Sequence, residues 1–538
     1  MVIHMSGRLP EQRKRMWAMY IAMSKLLFDI VDLHPNISKA YVRSDDFHKH
    51  MLYLWTTSDN VTKNAFFIDW DHPENDGVTQ LTLRVVEDLG GRRGLLRQSN
   101  NFTQKAKTYG PPCPPEIRFP EGLRRMATGL VHRAIKMREA IEDPAKFMRG
   151  MVTYIGRLMQ IVERLCEADD DELYAHLLEA NYLTELALAL HSSIIALGTS
   201  PSQEYLDIVL DGCAALTRIV GRQETAVSRN WRYIVEGKII PSLAHVAVCI
   251  PPVPSFDTQR RILNSTFNFL STATLYPRVL DSLLATPGLI DTHEVSQDLR
   301  RSSTAAIWDP FWDTLQFRLK VYWQLKKQPS LGLCDNPQCS QNVREMTRAC
   351  AGCSAVVYCS GKCQYLDWIR LHRKECRFMR DHHRKERSTK TWYSHRTRAF
   401  HTKLLEASSP AVPSLTQSYQ PAKAPVPVLD FCHKPPDGGP KSSSTNSPVV
   451  TYDMKDGTTD HWMRRPGTDF TQKYLTPRLR ALGRQVAPGV QEGEYKTVEG
   501  RFPLADGVVV NTLVVLMKEK EGYEATYSIP RHGNLKGY

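Results

Sequence analysis

Between Met151 and about Leu299, apolar residues recur at steps of three and four. Val152, Ile155, Met159, Val162 and Cys166 form one such row, and Leu206, Val209, Cys213, Leu216 and Val220 form another. That spacing lays an apolar stripe along one face of an α-helix. Cys166 and Cys213 fall inside the stripes and read as small buried hydrophobes rather than reactive thiols. A longer pattern overlies the first. Leu177–Leu188, Tyr233–Leu243 and Leu283–Thr292 each read as a helix end, a small or polar turn, and a fresh apolar helix start. Aligned on Glu179, Glu236 and Ala285, they lie 57 and 49 residues apart, irregular steps within reach of a helical-repeat array with insertions. Tyr41–Leu54 reads as an earlier copy. A non-repetitive helical bundle would carry the same periodicity, so both arrangements stand. The glycine run Gly90, Gly91, Gly94 and the prolines from Pro111 to Pro115 read as loops. The glycines lack the strand, lysine and serine of a phosphate-binding loop, so a turn is preferred to a nucleotide site.

Toward the C-terminus the pattern changes. Residues 405–448 are rich in Pro, Ser and Ala and read as a flexible, disordered linker, too poor in apolar area to offset the entropy of ordering. Beyond it, Asp506–Lys518 and Tyr523–Ile529 alternate and carry β-branched and aromatic residues, which predicts a small β-rich terminal part. The expected chain is therefore mainly α. A helical domain over 10–325 is followed by a cysteine-rich module at 334–376, a basic helix at 377–404, the linker, and a partly β segment at 449–538.

Composition refines this only a little. A length of 538 residues suggests three or four folding units, and 42% hydrophobic with 24% charged residues excludes collagen, coiled-coil and low-complexity readings. The formal net charge of +13 favours acidic partners. Most of the excess lies in Arg370–Lys403, where twelve Lys or Arg meet three acids. Such a strip is suited to nucleic-acid phosphate, an acidic protein or an import receptor, although a solvated helix face is its commonest explanation. His382, His383, His395 and His401 show no paired ligand spacing there and read as surface residues. The most apolar stretch, Leu183–Leu197, is broken by Glu185, His191 and two serines, so no membrane span is expected. Arg13, Lys14 and Arg15 before Trp17–Met23 read as an amphipathic helix, not a signal peptide. An intracellular, reducing compartment follows, nucleus or cytoplasm.

Seven of the twelve cysteines fall between Cys334 and Cys376. They form close pairs, Cys334 with Cys339, Cys350 with Cys353, and Cys359 with Cys363, and a fourth pair joins His372 to Cys376. Disulfides would not cluster in this way in a reducing compartment. Zinc takes four thiolate or imidazole donors, and a pair a few residues apart supplies two of them from one turn or helix end, so eight donors predict two zinc ions. His372 and Cys376, four apart, share one face of a helix predicted over Gly361–Phe378, which Cys363 opens. Leu366, Trp368, Ile369 and Leu371 are expected to pack against the metal-bound loops. With every coordination position taken by protein, both zincs should be structural rather than catalytic. Arg344, Arg348, Lys362, Arg370, Arg373 and Lys374 are candidates to offset the thiolate charge.

The order of six cysteines, one histidine and a last cysteine, with Tyr358 before Cys359, Gln364 after Cys363, and Trp368 between, resembles the MYND-type zinc finger. RING and PHD modules, the nearest rivals, place histidine earlier. The resemblance implies alternating ligand pairs, giving Cys334, Cys339, Cys359 and Cys363 to one zinc and Cys350, Cys353, His372 and Cys376 to the other. It also implies a shallow peptide groove near Gln364 and Trp368 and partners containing Pro-x-Leu-x-Pro. Pro413–Leu415 and Pro427–Leu429 carry half of that pattern within this chain. The helical region more weakly resembles an armadillo or HEAT-type array.

These readings point to a non-enzymatic, zinc-binding interaction scaffold, a transcription-related or regulatory adaptor whose partners are proteins. No catalytic residue and no organic cofactor is expected. A SET-type lysine methyltransferase is disfavoured because 333 residues precede Cys334 and no Asn-His-Ser element occurs. A nucleic-acid regulator acting through the basic strip is the remaining alternative.

Overall fold

The computed structural model describes residues 10–33, 35–56, 68, 72–106, 122–144, 147–167, 171–222, 227–285, 293–328, 330–339, 347–388, 392–411, 427–431, 449–451, 476–505, 508–520 and 522–534. The fold is mainly α with a small β-rich C-terminal part. Pro111–Pro115, Cys113, Cys432 and Pro413–Leu415 lie outside the described residues. Two compact units emerge. One comprises Met1–Val220, Arg232–Thr266 and Thr286–Ala305; the other comprises Gly221–Trp231, Phe267–Ala285 and Ala306–Tyr538.

The first unit is helical. Its helices include α1 (Pro10–Leu33), α2 (Pro35–Tyr41), α3 (Asp45–Thr56), α4 (Gly77–Glu87), α5 (Leu89–Ala106), α6 (Gly122–Ile141), α7 (Gly150–Cys166), α8 (Asp171–Glu179) and α9 (Tyr182–Leu197). Helices α10 (Gln203–Arg222) and α11 (Val227–Glu236) run across the division between units, and α12 (Ile239–Cys249) returns to the first. The apolar rows at 152–166 and 206–220 are the inward faces of α7 and α10, with Ile155, Val162, Cys213 and Leu216 buried; Cys166, at the end of its helix, is only half-buried, a correction to the reading of it as a buried hydrophobe. Two of the look-alike segments share a local design. In one, α8 and α9 are joined through Asn181 at φ 60°; in the other, α11 and α12 are joined through Lys238 at φ 64°. A single left-handed residue separates the two helices in each, and Thr184 Oγ1 of α9 donates to the carbonyl of Tyr233 on α11.

The glycine run is not a loop. Gly90, Gly91 and Gly94 lie in the first turns of α5. A Cβ on Gly94 would meet the His48 ring of α3 at 2.1 Å. The glycines are there so that two helices approach closely, a need set by a neighbour more than forty residues away in sequence.

The second unit holds α14 (Pro277–Ala285), most of α16 (Ala305–Lys327), the cysteine-rich module and everything beyond it; α13 (Asp257–Ala273) enters it at Phe267, and α15 (His293–Arg301) belongs to the first. In the module, β1 (Arg348–Ala349) pairs antiparallel with β2 (Val357–Tyr358). A helix then runs as α17 (Gly361–Asp367), a π-type turn over Trp368–His372, and α18 (Arg373–Ser388), ten residues past the predicted end at Phe378. Next come α19 (His395–Ser408), β3 (Pro427–Asp430), β4 (Val449–Thr451), α20 (Thr476–Gln491), β5 (Tyr495–Ala505), β6 (Val508–Glu519) and β7 (Gly522–Asn534). The five strands form one sheet in the order β4-β3-β5-β6-β7, antiparallel except for β3 against β5.

Three elements went unpredicted for physical reasons. Strand β5 hides its period because polar residues point inward: Glu499 pairs with Arg531 at 2.7 Å and Arg501 with Asp430 at 3.2 Å, all four buried. Strand β3 falls in the stretch read as linker; Leu429 is buried, and the segment Pro427–Leu429 is taken up by the sheet rather than left for the finger. Helix α20 is only sixteen residues long and contains a proline, but Leu479, Leu482 and Val486 line one face at helical spacing. Helix α19 lies on the sheet. His401 stacks on Phe502 with ring centroids 3.7 Å apart, and Phe431 stacks on the other side at 4.7 Å. His401 and His383 are buried, a correction to the surface reading; His401 is covered by Phe502 of a strand the local sequence does not reveal, and His383 packs edge-on against Trp392. Among the described residues, no helix is long and apolar enough to cross a membrane.

Candidate metal centre

The eight predicted ligands gather into two groups, Cys334, Cys339, Cys359 and Cys363, and Cys350, Cys353, His372 and Cys376. This is the alternation the resemblance implies. Each pair is delivered by a defined local structure. Ser360 caps α17 by accepting from the Cys363 N–H, which places Cys363 in the first turn and Cys359 just before it. The turn between β1 and β2 carries Cys350 and Cys353. A Cβ on Gly352 would sit 3.0 Å from Cys376 Sγ, so a side chain there would press on that ligand sulfur. His372 closes the π-type turn and Cys376 follows one turn later, on the same face.

The donor geometry fits zinc. In the first group Cys359 Sγ lies 3.5, 3.6 and 3.6 Å from the sulfurs of Cys339, Cys334 and Cys363. Four thiolates at tetrahedral zinc stand about 3.8 Å apart. In the second, Cys350 and Cys376 sulfurs are 3.9 Å apart, and His372 Nε2 is 3.3 Å from Cys350 and 3.6 Å from Cys353. A nitrogen and a thiolate on one zinc stand about 3.5 Å apart. The clusters fit two structural zinc ions, one held by four thiolates and one by three thiolates and an imidazole.

Titration bears on the same chemistry. Burial pushes the Cys376 thiol up to about 12, with Cys353 and Cys350 adding to the rise. Burial, then Cys339 and Cys363, hold Cys359 at about 11. Burial also opposes ionisation of Cys350, but the bond from His372 and the N–H groups of Cys353 and Gly352 outweigh it and bring that thiol to about 7. Without metal Cys359 and Cys376 keep their protons at neutral pH, and zinc must displace them to bind.

Around the ligands lies a buried ionic lattice that local sequence does not reveal. Asp335, next to Cys334, takes a two-pronged bond from Arg398 of α19, and its backbone N–H and carboxylate both bond to Val357. Burial disfavours the Asp335 carboxylate, yet Arg398 beside it keeps its pKa below the usual range. Arg478 of α20 reaches Asp367 at 2.8 Å and Glu375 at 2.7 Å. Glu375 in turn stands 3.7 Å from His372 Nδ1, beyond hydrogen-bond distance but on the ring edge opposite the sulfurs, the side from which a carboxylate steers a ligating imidazole once it closes on the N–H. Tyr358 donates to the same Asp367 oxygen at 2.6 Å. Asp335, Tyr358 and Glu375 each stand next to a ligand in the chain; nothing in sequence ties Arg398 or Arg478 to the cluster.

The expected packing also changes. Trp368 and Ile369 are exposed, and Leu366 and Leu371 only half-buried. The cysteines instead share one core with Leu479, Leu482 and Val486 of α20 and Leu513, Val515, Tyr527 and Ile529 of the sheet. The finger does not rely on its own helix for a core because the C-terminal elements provide one. Of the basic residues expected to balance the thiolates, Arg348, Lys362, Arg370, Arg373 and Lys374 are exposed, and Arg344 lies outside the described residues.

The MYND finger family matches residues 334–376, a span that begins and ends on a ligand. Fingers of this family are zinc-dependent protein-interaction modules. No curated protein and no solved structure matches the chain.

Proposed function

We propose that the chain is a non-enzymatic, zinc-stabilised adaptor that recruits a partner protein through the finger, by holding an extended peptide that carries proline and leucine. The observation that carries this reading is the exposed apolar row on the finger helix. Tyr365, Trp368 and Ile369 are 64%, 38% and 55% accessible, and their spacing of three and four puts them on one side of the helix. Half-buried Gln364 stands beside them. The helix is held from beneath by two zinc clusters and Arg478, so a partner meets a preorganised surface and little ordering entropy opposes binding. Aromatic side chains are the usual anchors of such contacts. A transcription-related role belongs to the same proposal.

Proximity labelling that compares wild type with a Tyr365→Ala, Ile369→Ala variant tests it. The variant should keep its zinc and lose a defined subset of partners, the same subset lost on Cys359→Ser. Coincident partner lists for wild type and the surface variant would sink the recruiting role. Arg373, Arg377, Arg384 and Lys385 are exposed along α18, which keeps nucleic-acid binding as the second reading; steeply salt-dependent binding to an unrelated duplex would favour it.

A further inference from the structure

Outside the finger, α18 and β7 bring together three side chains with no part in the two zinc clusters. His382 and Glu386 are four residues apart on α18, and His532 comes from β7. His382 Nδ1 lies 3.2 Å and His532 Nδ1 2.9 Å from the same oxygen, Glu386 Oε1. One ligand atom from each of the three lies within 4.8 Å of the others, and the two imidazole rings are 5.6 Å apart. All three side chains are largely covered, at 14 to 20% exposure. We propose that His382, Glu386 and His532 form a third metal site for one divalent ion of the zinc class, open where the finger's two sites are closed.

Several observations bear on this. Nitrogen and oxygen donors around tetrahedral zinc stand about 3.3 Å apart, and the 3.2 and 2.9 Å separations need only a few tenths of an ångström of adjustment. A helical pair at this spacing presents both donors to one point. Two imidazoles and one carboxylate are the donor set of zinc sites that keep a position free for water or another ligand, whereas the finger's thiolate-rich clusters complete their coordination with protein. The three side chains line a pocket of about 90 Å³ together with His383, Trp392, Tyr393 and Pro530, roomy enough for water or a small ligand group. Arg398 and Arg478 line it too, and each is already matched, by Asp335 and by Asp367 with Glu375. Their charge is neutralised where a cation would sit.

Hydrogen bonding alone is the competing account, with two Nδ1–H groups donating to one carboxylate oxygen. Metal counting separates the two. The full-length chain is saturated with zinc, desalted and assayed by elemental analysis, alongside His532→Asn and Glu386→Gln. Three zinc ions in wild type and two in each variant are expected. Cobalt titration gives a second readout that needs no variant. The finger's sites yield intense thiolate-to-metal charge transfer, and a further equivalent should add only weak visible bands. Two ions in wild type under excess zinc, three ions in wild type and both variants alike, or a cobalt titration that ends when charge transfer saturates would each overturn the site.

Discussion

Asp335 and Arg398 face one another as a two-pronged ion pair, at 2.8 and 3.1 Å, with both side chains buried. One follows directly on a zinc ligand and the other lies on the helix that covers the sheet, so a single contact ties the metal knuckle to the β-rich part. Arg398 Nε also donates to Ser528 Oγ of β7 at 3.1 Å.

Removing the cation should therefore be costly. Arg398→Met leaves a buried carboxylate without its partner, and a loss of about 3–5 kcal/mol is expected. Arg398→Lys should fall between, since one ammonium cannot make both prongs. Urea denaturation checks it; a change below about 1 kcal/mol in the methionine variant would mean that water or another group takes over.

Arg478 holds Glu375, and Glu375 faces the outer nitrogen of His372. Glu375→Gln and Arg478→Leu should each weaken the second zinc site by about 10–100-fold while leaving the four-thiolate site nearly unchanged. Competition against a graded chelator reads this directly. Equal weakening of both sites would point to general unfolding instead.

Because Cys334, Cys350, Cys353 and Cys363 share a core with Leu482, Val515 and Tyr527, zinc removal should loosen more than the finger. Amide hydrogen exchange after chelation is expected to rise in α20 and in β6 and β7, not only in residues 334–376. Unchanged protection in those strands would show that the sheet stands without the metal.

His401 makes stability depend on pH. Burial lowers its pKa to about 3, further than the Leu275 carbonyl can restore. The ring bonds to Tyr393 Oη through Nδ1 and to that carbonyl through Nε2. The carbonyl can only accept, so Nε2 carries the proton and Nδ1 accepts from the tyrosine. The folded pKa is depressed, so the unfolded chain takes up a proton that the folded chain refuses between about pH 6.5 and 3. Stability from this group is complete above about pH 6.5 and falls with acidification, by at most about 1.4 kcal/mol per pH unit. Denaturation midpoints measured from pH 7 to 5 should show a shallower slope in His401→Gln than in wild type.

Much of the molecule was legible in the chain itself. Helical periodicity over 152–166 and 206–220, the paired cysteines and the last two strands follow from spacings of a few residues, and those spacings are set by local geometry: 3.6 residues per helical turn, two per strand, and the reach of two donors to one ion. The readings that needed correction share a cause. Glycines 90 to 94 look like a turn until His48 is placed against them, and β5 looks irregular until Arg531 and Asp430 meet its inward Glu499 and Arg501. His382 looks like a surface residue until Glu386 and, from the far end of the sequence, His532 are placed beside it. Sequence alone singled out the eight candidate zinc ligands, because each ligand pair is local; how the pairs are shared between two ions came from the resemblance to the MYND finger. Only the tertiary structure decided what that centre is built into, because buried charges and close backbone contacts draw their partners from distant segments, and no short-range pattern records a partner that far away.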